Sequence, residues 1–148
     1  MVQVKLLSDS FRVLNYVLVF STGDEVLSGI TNFAKQYHVK TAHFTAIGAL
    51  KNATTAWYDI ETQKYIHHPI NEQVELVSLI GDIAMLDGEP IVHAHFSVAF
   101  KDGRVEGGHL IKAHTNPTVE LFMRVEPVTL NKQFDKLSGL NLIHIEKS

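Results

Sequence analysis

Almost the whole chain alternates apolar and polar residues over short runs, with Gly, Pro, Asn and Asp punctuating the breaks between them. A period of two puts every second side chain on the same face, so each run is a strand with one face to bury. Strands are predicted over residues 12–21, 41–50, 54–59, 63–68, 73–85, 91–100, 105–113, 119–125 and 140–146. One segment departs from this period. Val26, Ile30, Phe33 and Tyr37 recur at the spacing of a helix face, which predicts a helix over 24–37. Thr22 stands three residues before Glu25, the spacing of a capping box at the helix start. The expected fold is therefore α+β, with an antiparallel, strongly curved or barrel-like sheet and one main helix packed on it.

Two turns follow from the sequence. Lys101-Asp102-Gly103-Arg104 predicts a tight hairpin, and Asn116-Pro117 predicts a second turn, because the residue before proline avoids the helical region.

At 148 residues the chain has the length of a single domain, 1–148, large enough to bury a core without covalent cross-links. Hydrophobic residues at 45% and charged residues at 20% exclude a disordered or low-complexity chain. There is no cysteine, which excludes disulfides, thiolate ligands and a cysteine nucleophile. The formal net charge is −3, and the thirteen Lys and Arg residues are scattered with no two adjacent. A strong phosphate binder carries a basic stripe, so the monomer offers little to DNA unless an oligomer gathers its cations on one face. The first residues lack the pattern of a signal peptide, and the densest apolar run, 13–20, is far shorter than the roughly 20 residues of a membrane helix. The expectation is a soluble, cytoplasmic protein with no membrane association.

Four of the nine histidines fall between positions 93 and 114. His93 and His95 are two apart on a predicted strand and share a face, where two imidazoles can converge on one ion at Zn–N distances of about 2.0–2.1 Å. Whether His109 joins them depends on the hairpin. A two-residue loop, Asp102-Gly103, places His109 opposite Phe96 and on the other face. A three-residue loop, Lys101-Asp102-Gly103, with Gly103 left-handed, places it opposite His95. A bulge at Gly107-Gly108 has the same effect. Apolar alternation favours the first register, which puts Val105, His109 and Ile111 on the core face; the paired glycines favour the second. Both stay open at this level. Glu120 and His114 are the candidate catalytic acid or base groups, and His67 and His68 point to opposite faces of an exposed strand. There is no nucleophile elbow, phosphate loop or dinucleotide fingerprint.

The sequence resembles the PPC (plant and prokaryote conserved) domain, which accompanies AT-hook motifs in plant nuclear proteins. The resemblance rests on Thr22-Gly23-Asp24-Glu25, on residues 45–50 and 75–81, on His93-Ala94-His95, on the G-G-H-L of residues 107–110, and on Pro117-Thr118-Val119-Glu120. It implies an α+β homotrimer, a DNA-binding designation for the prokaryotic branch, and a zinc site on His93, His95 and His109. The fold is also similar to that of acetolactate decarboxylase, a zinc enzyme with three histidine ligands, which implies a zinc-dependent enzyme acting on a small molecule as the alternative role, with a small-molecule ligand at the metal. No R-G-R-P core of an AT-hook is present, and Glu72-Gln73-Val74-Glu75-Leu76-Val77 stands where the plant partner-binding motif reads G-R-F-E-I-L.

Overall fold

Alternation over so many runs produces a sheet that curls until it meets itself. The structure, a computed structural model, describes residues 2–145. Its elements are β1 (Gln3–Ser10), β2 (Val13–Ser21), α1 (Val26–Gln36), β3 (Ala42–Asp59), β4 (Lys64–Ile70), β5 (Val74–Leu86), β6 (Glu89–Ala99), β7 (Val105–Val125), β8 (Asn131–Asp135) and β9 (Leu140–His144). Antiparallel pairing runs from β3 to β5, β5 to β6, β6 to β7 and β7 back to β3, closing a ring of four strands. β2 and then β1 extend the sheet from β7, and β4 pairs with β3. The α+β class, the curved antiparallel sheet and the single helix are all as expected.

The pleat sorts the side chains as the alternation requires. Tyr16, Leu18 and Phe20 of β2, Phe44 of β3, Ala94, Phe96 and Val98 of β6, and Leu121 and Met123 of β7 are buried in one core. The helix closes that core with Val26, Ile30, Phe33 and Ala34. Phe33 packs edge-on to Tyr16, with ring centroids 5.1 Å apart. Each large apolar side chain buried here contributes about 1.5–3 kcal/mol.

Four local expectations need correction. Two pairs of predicted strands are continuous: residues 41–50 and 54–59 belong to β3, and 105–113 and 119–125 belong to β7. Asn116-Pro117, joined by a cis peptide bond, makes no turn and lies inside β7. Between the pairs Gly48↔Val119 and Leu50↔Thr115 the register shifts, and residues 116–118 bulge there. A bulge suits a residue with no N–H to give the ladder, and an extended strand satisfies the constraint before proline as well as a turn does. β1 and β8 lie outside the predicted strands; both are polar strands towards the ends of the strand order, where little burial marks the sequence. The last predicted strand is β9, ending at His144, and Glu146 lies outside the described residues.

The helix start also differs. Glu25 itself is the N-cap, its carboxylate accepting from the amides of Leu27 (3.1 Å) and Ser28 (2.8 Å), so Thr22 does not form a capping box. Glu25 Oε1 further accepts from the Ala113 amide of β7 at 3.1 Å, tying helix to sheet. Glu25→Ala therefore strips a cap and leaves the part-buried Ala113 donor unmet. The expected cost is about 1–3 kcal/mol, read as a lower urea midpoint at unchanged slope.

Candidate metal centre

The hairpin between β6 and β7 decides the site. The Phe100 amide donates to the Arg104 carbonyl (2.9 Å) and the Gly103 amide to the Phe100 carbonyl (2.9 Å), so the loop is the three residues Lys101-Asp102-Gly103. Gly103 is left-handed at φ 86°, and Asp102 Oδ1 accepts from the Arg104 amide at 3.0 Å. These are the turn preferences of Asp and Gly realised together. His95 consequently faces His109 across the ladder, and Ala99 faces Val105. Apolar alternation pointed the other way: Val105 lies exposed and Leu110 takes the core position instead. Gly107 and Gly108 form no bulge against β6. They allow close approach of neighbouring strands, since a Cβ on Gly107 would stand 2.5 Å from the Phe96 carbonyl and one on Gly108 2.7 Å from that of Ala56.

With Ala94, Phe96 and Val98 turned inward, His93 and His95 project from the outer face of β6, and His109 rises beside them from β7. One ring nitrogen from each lies within 4.8 Å of the other two. Ring centroids are 5.0 Å apart for His93–His95, 5.4 Å for His93–His109 and 5.5 Å for His95–His109. Burial, followed by the neighbouring histidines and Lys132, pushes the His109 pKa down to about 4. Burial and then His93 also lower that of His95. Both effects hold the imidazoles in the neutral form that ligates a metal.

Three residues that the sequence did not single out surround the cluster. Asp82 of β5 pairs across the ladder with His93, and its Oδ2 lies 3.8 Å from His93 Nδ1. Its contact with His93, then Lys132, lowers the Asp82 pKa despite partial burial. At that distance the carboxylate makes no hydrogen bond to the ring, but its negative charge favours a proton on the near nitrogen and leaves the other for a metal. Tyr65 of β4 packs on His109 with centroids 4.7 Å apart. Lys132 of β8 places its ammonium 3.9 Å from Asp82 Oδ1, with the side chain only 6% exposed. A cleft of about 410 Å³ opens between His93 and His109 on one side and the β8–β9 hairpin on the other.

The remaining candidates lie elsewhere. His114 Nδ1 is 2.8 Å from Asn52 Oδ1, and exposed Glu120 pairs in register with Val19 and Ile47; neither lines this cleft. Arg124 pairs with Glu126 at 2.6 Å. His67 and His68 are exposed, as expected.

The family pattern of the Plants and Prokaryotes Conserved (PCC) domain matches residues 10–126. The chain belongs to this family. A plant- and prokaryote-conserved (PPC) protein of Pyrococcus horikoshii is 32% identical, with a TM-score of 0.84 over 100% of this chain and 97% of its own. A protein of Archaeoglobus fulgidus described as metal-containing is 28% identical, with a TM-score of 0.83 over 98% and 99%. A Ralstonia eutropha JMP134 protein with a provisional DNA-binding designation is also 28% identical, with a TM-score of 0.83 over 88% and 91%. Among curated proteins, the bifunctional protein GlmU of a Synechococcus strain is 31% identical over 142 residues. Those residues are 93% of this chain, which spans only about a fifth of that much longer relative. The PCC pattern stops at residue 126, so the β8–β9 hairpin that walls the cleft lies beyond it.

Proposed function

We propose that this PCC-domain chain holds one divalent metal ion on His93, His95 and His109 and works as a cytoplasmic homotrimer of single-domain subunits. The observation that carries the metal is the convergence of three imidazole nitrogens within 4.8 Å on rigid, paired strands. The donor set fits zinc: three neutral nitrogens, a carboxylate behind one of them, and no cysteine to complete a closed structural site. Such an ion, when bound, supplies a Lewis acid with a position left for a ligand. The metal-containing description of the Archaeoglobus fulgidus relative agrees with this reading. Metal binding to a ligand or small-molecule substrate is therefore favoured over a purely structural role.

Self-association is supported by an apolar patch on the outer face. Thr45 of β3 is flanked in register by Phe122 of β7 and Ile80 of β5, which are 56% and 61% exposed. Ile47 adds to the same face, and association covers such surface. DNA binding is the second reading, carried by the designation of the Ralstonia eutropha relative. The charges argue for weak, steeply salt-dependent binding, because Lys35, Arg104 and Arg124 are each paired with a carboxylate. Metal analysis and light scattering of the purified protein test the main reading. The expected results are one ion per chain and three times the chain mass; a metal-free protein, or a monomer at micromolar concentration, overturns the corresponding half.

A further inference from the structure

The cleft beside the histidines has a composition of its own. Its walls are largely apolar, from Leu86, Ile91 and Val92 on one side and Leu140 and Leu142 on the hairpin. Within them stands a single ammonium, Lys132, whose side chain is almost wholly covered. Among the described residues Lys132 makes no hydrogen bond; its nearest anion, Asp82 Oδ1, is 3.9 Å away, beyond hydrogen-bond reach. That oxygen is itself buried without a hydrogen-bond partner. An ammonium has three donors to satisfy, and leaving a covered one unmet is costly. Asp82 also interacts with His93, so its one negative charge is shared between two groups.

We infer that this cleft binds a small organic acid, its carboxylate held by Lys132 beside the three histidines and its short apolar body packed against Leu86, Ile91 and Leu142. The inference rests on the metal reading above and names the ligand class. A loaded divalent ion adds positive charge to a site that already holds Lys132, while Asp82 is the one carboxylate among the lining residues. The balance selects an anion, and a charge-assisted hydrogen bond from a covered ammonium selects it strongly. Inorganic phosphate satisfies the same donors but leaves the apolar walls in water, so the apolar lining favours a carboxylate with a hydrocarbon tail. Lys132 stands on β8, outside the residues matched by the family pattern.

The test is calorimetric titration of the zinc-loaded protein with acetate, butyrate, hexanoate, butanol and inorganic phosphate. Affinity is expected to rise from acetate to butyrate or hexanoate, with phosphate and butanol at least about tenfold weaker than the best acid. Lys132→Gln is expected to weaken that acid by about tenfold to a hundredfold, and Lys132→Arg to keep most of the affinity. Metal content and melting temperature are expected to stay near the parent's in both variants. Zinc-loaded parent protein that binds no carboxylate, or binds it equally well as Lys132→Gln, overturns the inference and leaves the metal reading standing. A parent protein that takes up no metal overturns both.

Discussion

His109→Ala is expected to lower zinc affinity by well over a hundredfold while the protein stays folded. In the proposed site His109 is one of three nitrogen donors, and a metal held by three ligands has no spare one to lose. Asp82→Asn, which alters only the support behind His93, is expected to cost about 10–100-fold, as loss of such a partner usually does. The order of the two effects therefore separates ligand from support. His93 and His95 are exposed, so His93→Ala and His95→Ala leave the core untouched and should change stability by no more than about 0.5 kcal/mol without metal. Added zinc at a hundred times its dissociation constant should stabilise the parent by about 2.7 kcal/mol, a melting shift of several degrees that all three alanine variants lose. The measurements are metal content after dialysis and melting with and without zinc. Full occupancy in every variant would place the ion elsewhere.

The legible and illegible parts of this structure differ in the range of the forces behind them. β6 could be read directly: Ala94, Phe96 and Val98 alternate with His93 and His95, and burial of one set exposes the other. The helix could be read for the same reason, from Val26, Ile30 and Phe33. The register of the next hairpin could not, because two turn lengths satisfied the local rules and apolar alternation favoured the wrong one. What decides it is a cooperative detail, Asp102 accepting from the Arg104 amide while Gly103 turns left-handed, with Arg104 stacked 4.2 Å over Phe100. The family resemblance pointed to the correct register where alternation did not.

Asp82 and Lys132 were illegible for a different reason. Asp82 is one charge in an apolar strand, and its meaning arises only when β5 pairs with β6 and sets it opposite His93. Lys132 belongs to a polar segment with no clear period, which becomes a strand by pairing with β9 and joins the β5 ladder at one position, Met85↔Asn131. Groups that support a site from separate elements leave no spacing to find. The three histidines, confined to one hairpin, leave a short one.

The metal-free protein is expected to lose stability as pH falls from about 6.5 to about 4. In the unfolded chain His109 takes up a proton near the ordinary histidine pKa of about 6.5. In the folded chain burial, His93, His95 and Lys132 hold that pKa down to about 4. Between these values the unfolded state binds more protons than the folded state, so each step down in pH favours unfolding. Below about 4 both states are protonated, and this contribution is fully lost. A shift of this size is worth about 3 kcal/mol in a sealed interior; the ring opens onto the cleft, and solvent screening reduces the loss to about 1–2 kcal/mol. His95, lowered in the same direction by burial and by His93, adds to the slope. Saturating zinc should flatten the upper part of the window, because a ligated nitrogen takes no proton until the metal leaves. Urea titrations of chelator-treated protein between pH 4 and 7.5, compared with His109→Ala, provide the check. The alanine variant lacks the titrating ring and should show the shallower slope; equal slopes in the two proteins would assign the acid sensitivity to other groups.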